Sequence, residues 1–312
     1  MNNLKPSQSE LTKLLEYFNN DKYKEAEILA LDISKKFPNH PFSWKVLGSV
    51  LRRAGRISEA LIFNKKAVKL DPKDSNAHNN LGNSLNDLSR LTEAEESYRS
   101  AIILNPNSAE FYYNLGRTLS NQGRLIEAKE SYIKAIDIKP NYINAFENLG
   151  NVLSDLREFD KAKISYKKAI LLNPKNSSLL SNFGTLLRKL GNLSEAELCY
   201  RRAVAIKPDF ATAYNNLGNT LRDLNKSDEA EKTYRQAINL NPNYAEAHYN
   251  LGNLLMVFGR LNEAEISLRY AINIKSDYDK AIESLGMVEL KKGKHKEGLK
   301  NLKIGNGSIL FD

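Results

Sequence analysis

The chain has a single cysteine, Cys199, in 312 residues. An internal disulfide and a cysteine metal cage are thereby excluded, and packing alone must hold the fold. No apolar run approaches the roughly 20 residues that a membrane-spanning helix requires. The N-terminal MNNLKPSQSE has no apolar stretch behind a basic start, so the expectation is a cytoplasmic protein that meets no membrane. The four histidines, His40, His78, His248 and His295, include no pair at a metal-ligand spacing such as HxxxH. Carboxylate neighbours such as Glu95 and Glu96 belong to solvated helix faces and enclose no pocket. Apart from Gly307, every glycine belongs to one repeating frame, which leaves no phosphate-cradling loop. The sequence is thus expected to carry no catalytic residue, no metal and no cofactor, and to be no enzyme.

Charge gives little direction. The formal net charge is +9, but residues 291–304 hold six lysines against Glu297, a local 6 − 1 = +5 that leaves +4 for the rest. A nucleic-acid solenoid would spread cations along its binding face with stacking platforms between them. No nucleic-acid partner is expected.

What the chain has in abundance is one pattern. Gly48, Gly82, Gly116, Gly150, Gly184, Gly218, Gly252 and Gly286 stand 34 residues apart. With this glycine at position 8, nine frames begin at residues 7, 41, 75, 109, 143, 177, 211, 245 and 279, leaving 1–6 as a tail and 7–312 as repeats. Position 20 is alanine in eight frames, from Ala26 to Ala264, and position 27 in seven, from Ala67 to Ala271. Position 32 is proline in seven, from Pro38 to Pro242, where a helix must stop because the ring clashes with the preceding turn. Between the prolines run two apolar stripes at helical spacing, for example Leu81, Leu85 and Leu88, then Ala94, Tyr98 and Ala101. Each unit therefore reads as two helices, A over positions 2 to 14 and B over 18 to 31.

Glycine at position 15 (Gly55, Gly123, Gly191, Gly259, Gly293) suits a left-handed break between them, and Thr92 with Glu95, Ser194 with Glu197 and Asn262 with Glu265 read as capping boxes for helix B. Tyr98, Tyr132, Tyr166, Tyr200 and Tyr234 at position 24, and His78 and His248 at position 4, read as packing residues. The first frame, with Leu14 at position 8, and the last, with Gly298 and Gly305 for alanine, are expected to be degenerate caps, the last one frayed. The apolar tip Ile309 to Phe311 is expected to seal the final repeat or to lead into a further domain, and end-to-end self-association of the stack is a second possible partner mode.

Trp44-x2-Leu47-Gly48-x2-Leu51, followed by Ala60, Ala67 and Pro72, resembles the tetratricopeptide repeat. The resemblance implies an all-α, right-handed superhelical solenoid whose A helices line a groove that holds proteins or peptides.

Asparagine at position 6 is the residue this resemblance leaves to be explained. Asn80, Asn114, Asn148, Asn182, Asn216 and Asn250 occupy it in six successive frames, although asparagine is a mediocre helix former. Helical geometry puts positions 2, 5, 6, 9 and 13 opposite the packed stripe. A neutral amide offers donors and an acceptor to a peptide backbone without reading its side chains. Asn83, Arg117, Asn151, Asn219 and Asn253 at position 9, and a cationic group of Arg188, Lys189 and Arg222 beside Asp87, Asp155 and Asp223, complete the expected peptide-binding set. The alternative is that these amides only face water.

The row resembles the superhelix of O-GlcNAc transferase and its bacterial relatives, in which groove asparagines hold extended substrates. That resemblance carries over to the six position-6 asparagines alone. The catalytic domain of that family is expected to be absent, because repeats fill the chain; the alternative function is thus the substrate-recruiting part of a modifying enzyme. The carboxylate clamp of chaperone-binding members needs lysine at position 5, asparagine at 9 and lysine at 13 of the following unit; only Lys45 fits, with Ser49 and Asp87 in the other two places, so chaperone tails are not expected as ligands.

Overall fold

The structure, a computed structural model, describes residues 5–305. Among them all regular structure is helical, and the chain divides into two compact units between Leu172 and Asn173. The first unit contains α1 (Gln8–Asn19), α2 (Tyr23–Lys36), α3 (Pro41–Arg53), α4 (Ile57–Leu70), α5 (Ser75–Asp87), α6 (Leu91–Leu104), α7 (Ala109–Asn121), α8 (Leu125–Ile138), α9 (Ile143–Asp155) and α10 (Phe159–Leu172). The second contains α11 (Ser177–Lys189), α12 (Leu193–Ile206), α13 (Ala211–Asp223), α14 (Ser227–Leu240), α15 (Ala245–Val257), α16 (Leu261–Ile274), α17 (Asp279–Lys291) and α18 (His295–Gly305). Odd-numbered helices are A helices and even-numbered ones B helices. None of the described helices is long and apolar enough to cross a membrane. The tip Ile309 to Phe311 lies outside the described residues.

Apart from α1, which starts at position 2 as expected, the helices start one position earlier than the pattern suggests, at 1 and 17. The capping boxes expected at helix B are not formed. Thr92 lies inside α6, behind an N-cap at Arg90 that makes no side-chain cap bond, and Ser194 and Asn262 stand likewise behind Asn192 and Arg260. Their supposed partner glutamates face neighbouring cations instead. Glu95 binds Arg99 and Arg124, Glu197 binds Arg201 and Lys226, and Glu265 binds Arg269, Lys292 and Lys294. A true capping box occurs at the start of α1, where Ser7 and Glu10 satisfy each other's backbone N–H groups.

The turn between A and B is left-handed in every repeat. Five repeats use glycine with φ between 73° and 78°, and the other four place Asp21, Ser89, Arg157 and Asn225 there at 58° to 60°. Each of the latter accepts about 1 kcal/mol of backbone strain to close the same turn.

Glycine at position 8 serves a different need. A Cβ on Gly82 would fall 2.7 Å from the Tyr98 ring and one on Gly218 2.6 Å from the Tyr234 ring, so the absence of a side chain on helix A makes room for the aromatic ring of helix B. The alanines at 20 and 27 are fully buried. Within each unit every A helix packs on its own B helix and each B helix on the next A, and successive A helices also touch while successive B helices do not. The A helices thus form the tighter layer of each unit. Long side chains bridge the B helices: Arg124 reaches Glu95 at 2.5 Å and Arg260 reaches Glu231 at 2.7 Å, and between α8 and α10 the polarity reverses, with Lys129 on Glu158 at 2.8 Å. Exposed pairs of this kind contribute about 0.2–1 kcal/mol each.

The last repeat is not frayed over its described length. α18 is helical from His295 to Gly305, and the two glycines that lower its propensity permit close approach. The Gly298 carbonyl lies 2.8 Å from where a Gly286 Cβ would sit.

Candidate functional site on the A-helix face

Position 6 lies at the seam between adjacent A helices. Asn114 on α7 donates from Nδ2 to Asn79 Oδ1 on α5 at 3.0 Å, and Asn79 in turn donates to Glu110 at 3.0 Å. The second unit repeats the relay with different residues: Asn250 on α15 donates to Asn215 Oδ1 on α13 at 2.9 Å, and Asn215 donates to Glu246 at 3.3 Å. Asn114 and Asn250 are buried, at 7% and 5% exposure. Asn80 donates to Ser49 at 3.0 Å and Asn148 to the Tyr113 hydroxyl at 3.3 Å.

These amides were expected to stand free above the face. Four of the six instead direct a donor at the preceding A helix, because a 34-residue repeat brings positions 5 and 9 of one helix beside position 6 of the next. Asn216 is half-buried, and its side chain makes no hydrogen bond to the described residues. Asn182 is half-buried and has an interaction partner.

Position 9 is organised by the tyrosines at position 24. The Tyr98 hydroxyl donates to Asn83 Oδ1 at 2.8 Å and the Tyr234 hydroxyl to Asn219 Oδ1 at 2.7 Å. Tyr166 does the same to Asn151, and Tyr200 pairs with Thr185 at 2.9 Å. Burial pushes these phenols up, Tyr200 and Tyr234 to about 12 and Tyr98, Tyr132 and Tyr166 further, so they remain neutral donors. Each bond holds the asparagine by its oxygen and leaves Nδ2 of Asn83, Asn151 and Asn219 without a hydrogen bond among the described residues. The eighth repeat breaks the rule. Leu268 stands where the tyrosine would be, and Asn253 Oδ1 is buried without a partner among the described residues.

The charged residues are mostly neutralised. Arg188 and Arg222 both bind Asp223, at 2.9 and 3.0 Å, and Arg52 binds Asp87 at 2.6 Å. The expected cationic group is therefore largely an ion-pair lattice linking position 12 of one helix to position 13 of the next. Arg117 differs. Its guanidinium lies 5.9 Å from the centre of the Tyr113 ring, and among the described residues no carboxylate pairs with it. It borders a cavity of about 190 Å³ together with Ser120, Asn121, Tyr132, Asn148 and Asn151.

Other roles went unread in the sequence. His78 and His248 at position 4 do pack, but each also places Nε2 against the carbonyl of the preceding proline, Pro72 at 2.9 Å and Pro242 at 3.0 Å. Trp44 Nε1 donates to Pro38 in the same way, at 3.0 Å. These contacts tie each helix A to the loop that leads into it. The signal was available, because a ring N–H recurs at position 4 wherever that bond is made. Cys199 is buried and its thiol is pushed up to about 11 by desolvation, which leaves it unreactive as expected for a packing residue.

Comparison with known proteins agrees with this architecture. Models described as "Tetratricopeptide repeat" match residues 109–142, 143–176 and 245–278, a second such model 63–96 and 165–197, and a third 11–75. A model described as "TPR repeat" matches 82–123, 184–221 and 218–256. None of the curated proteins matches the sequence. Among solved structures, the Cut9–Hcn1 hetero-tetramer of the APC/C aligns with TM-score 0.63 and 16% identity over 89% of this chain. The chain spans 55% of the length of that relative. PilF of Pseudomonas aeruginosa aligns with TM-score 0.59 and 24% identity, covering 66% of this chain and 94% of its own. YrrB, described as a TPR protein with an unusual peptide-binding site, aligns with TM-score 0.50 and 27% identity, covering 64% of this chain and 99% of its own. The matches identify the repeat and not a particular branch such as the O-GlcNAc transferases. Eighteen helices in A–B hairpins among the described residues, a glycine and two alanines at the crossings, and family models that together run from residue 11 to 278 lead to one assignment: the chain belongs to the tetratricopeptide repeat family, an all-α repeat solenoid with the fold of a protein-interaction scaffold.

Proposed function

We propose that the protein is a noncatalytic scaffold that holds an extended peptide against the A-helix face of its repeats, gripping main-chain carbonyls with asparagine side chains. The observation that carries this reading is the tyrosine–asparagine pair. A buried hydroxyl fixes the Oδ1 of Asn83, Asn151 and Asn219, and an amide held by its oxygen presents its two N–H donors in a set direction without further loss of freedom. Such preorganised neutral donors match peptide carbonyls and ignore side-chain charge. The position-6 asparagines stand next to this row. Their donors at Asn80, Asn114, Asn148 and Asn250 serve the seams within each unit, and the oxygens of the half-buried Asn80 and Asn148 in the first unit and both functions of the half-buried Asn216 in the second add to the polar groups on the A helices of their own unit. The likeness to YrrB, whose description names a peptide-binding site, supports the same reading.

Replacing Asn83, Asn151 and Asn219 together by threonine is the direct test. Thr185 already pairs with Tyr200 in the sixth repeat, so threonine keeps the tyrosine's partner and removes only the amide N–H donors. Partners captured from lysate and identified by mass spectrometry should bind the triple variant at least tenfold more weakly, with an unchanged circular dichroism spectrum. Undiminished binding by a folded triple variant would refute the role of these amides.

A further inference from the structure

The fourth repeat departs from the tyrosine–asparagine rule at one residue, and the departure opens a site. Position 9 is Arg117, so Tyr132 on α8 has no asparagine at that position of its own repeat, and both residues border the cavity of about 190 Å³. Its lining is polar throughout. Arg117 supplies a guanidinium. Asn148, half-buried on α9, approaches the hydroxyls of both Tyr113 and Tyr132. Asn151, its oxygen taken by Tyr166, also lines the cavity. Ser120 and Asn121 close the remaining wall.

We infer that this cavity takes one carboxylate, the side chain of an aspartate or glutamate in the extended partner, with Arg117 as its counter-ion. The inference rests on the peptide-holding reading and adds to it a fixed point of sequence preference.

Three features favour a carboxylate. The other arginines on the A-helix faces spend their charge on a fixed acid, Arg52 on Asp87 and both Arg188 and Arg222 on Asp223, whereas Arg117 is left to the Tyr113 ring. That ring is itself braced by Tyr142, with centroids 5.0 Å apart, and by Tyr132 at 6.0 Å, which holds the guanidinium plane without consuming its donors. Around the fork stand neutral N–H and O–H groups able to complete a carboxylate's lone pairs. The field of the site limits the charge it accepts. Glu110 and Glu147 act on the neighbouring Tyr142 and Tyr113, and Asp155 on Tyr166, so a single guanidinium suits a monoanion and is insufficient for a phosphate group near −2. The site differs from the carboxylate clamp of chaperone-binding members in residues and position, since its charge is an arginine at position 9 and Asn148 and Asn151 come from the next A helix.

The test uses the full chain and two probes. The first is a pair of random peptide pools with amidated ends, one with a fixed central glutamate and one with glutamine there, read by fluorescence anisotropy. The second is N-acetylglutamate N-methylamide against its glutamine analogue, titrated into 15N-labelled protein while following the Arg117 Nε–H resonance, assigned by its loss in Arg117→Asn. Asparagine is the residue other repeats carry at this position opposite the same tyrosine, so this variant is expected to fold.

The glutamate pool should bind about tenfold more tightly than the glutamine pool, and Arg117→Asn should abolish that ratio while sparing the glutamine pool. The Arg117 resonance should shift saturably with the glutamate compound alone. Equal affinity for the two pools with an unmoved resonance would overturn the pocket and leave peptide binding standing. A shifted resonance with no peptide binding would support the pocket and overturn the peptide-holding reading. A third pool with a free C-terminal carboxylate and no internal acid separates the sources, and preferential binding of that pool would overturn the assignment to a side chain. A phosphoserine pool that binds more tightly than the glutamate pool would overturn the choice of carboxylate.

Discussion

Replacing Tyr234 by phenylalanine removes one oxygen atom and isolates the bond on which the orientation of position 9 depends. Tyr234 is fully buried and Asn219 is 7% exposed, and their bond measures 2.7 Å. Without the hydroxyl, Asn219 Oδ1 keeps its desolvation penalty and has no donor to offset it, a loss of about 1–3 kcal/mol. The same substitution at Tyr98 leaves Asn83 in a half-exposed position, where water replaces the lost donor, and should cost about 0.5 kcal/mol. Replacing both partners, as Tyr234→Phe with Asn219→Leu, puts two apolar groups together and should recover most of the stability lost in the single variant.

Stacked repeats do not unfold as one cooperative unit, so a global midpoint would dilute the effect. Hydrogen exchange of the amides in α13 and α14 is the appropriate measurement, and each 1.4 kcal/mol appears there as a tenfold loss of protection. Equal losses at Tyr98 and Tyr234, or a double variant worse than the sum of its parts, would refute the argument that a buried, oriented acceptor is at stake.

Gly218→Ala should destabilise by about 1–3 kcal/mol despite the better helix propensity of alanine, because its Cβ meets the Tyr234 ring at 2.6 Å and Thr233 Oγ1 at 2.8 Å. Loss of hydrogen-exchange protection in α13 and α14 would show it. Above pH 10 the chain should lose stability progressively: the buried phenols have folded-state pKa values raised above the unfolded value, to about 12 at Tyr200 and Tyr234, so their contribution is complete below pH 10 and disappears as the pH rises through 12. Absorbance of tyrosinate during alkaline titration should rise together with unfolding. At the acid end the sign reverses. Glu265, held down to about 2 first by its hydrogen bond from Lys292, contributes fully above pH 4.5 and loses that contribution as the pH falls towards 2, and Lys292→Met should narrow this window in acid unfolding curves.

The hairpins were legible because their determinants are steric. A ring at 24 requires glycine at 8, close crossings require alanine at 20 and 27, and the chain break requires proline at 32, so the period appears in residue identities. The turn at position 15 was half legible. Glycine marks it in five repeats, but Ser89 and Arg157 adopt the same φ and carry no signal of it. The tyrosine–asparagine bond could have been found by comparing frames. Asn or Thr at 9 accompanies Tyr at 24 in repeats three, five, six and seven, and both change in repeat two, which has Ser49 at 9 and Asn64 at 24.

The pairs 35 residues apart were not legible. Helical periodicity places position 6 on the face opposite to the apolar stripe and says nothing about how near the next A helix lies, and that distance turns an outward amide into an interhelical donor. The capping boxes failed for a related reason. Thr92 and Glu95 satisfy the local pattern, but Arg90 with Glu93, and Glu95 with Arg99 and Arg124, form ion pairs across and along the helices that start α6 at Leu91.

The seam gives the asparagine row a structural duty that any binding experiment must separate from recognition, and two of its members separate it. Asn114→Ala removes the donor to Asn79 Oδ1, in a relay whose members are 7% and 3% exposed. The orphaned acceptor should cost about 1–3 kcal/mol and loosen α5 against α7. Asn216→Ala removes a half-buried side chain that makes no hydrogen bond to the described residues, and should change stability by less than about 0.5 kcal/mol. If the row serves recognition, Asn216→Ala weakens partner binding with hydrogen exchange unchanged, while Asn114→Ala alters both. Should Asn216→Ala leave binding intact and Asn114→Ala impair it only in proportion to lost protection, position 6 belongs to the architecture of the stack, and recognition would rest on the amides that the tyrosines hold at position 9.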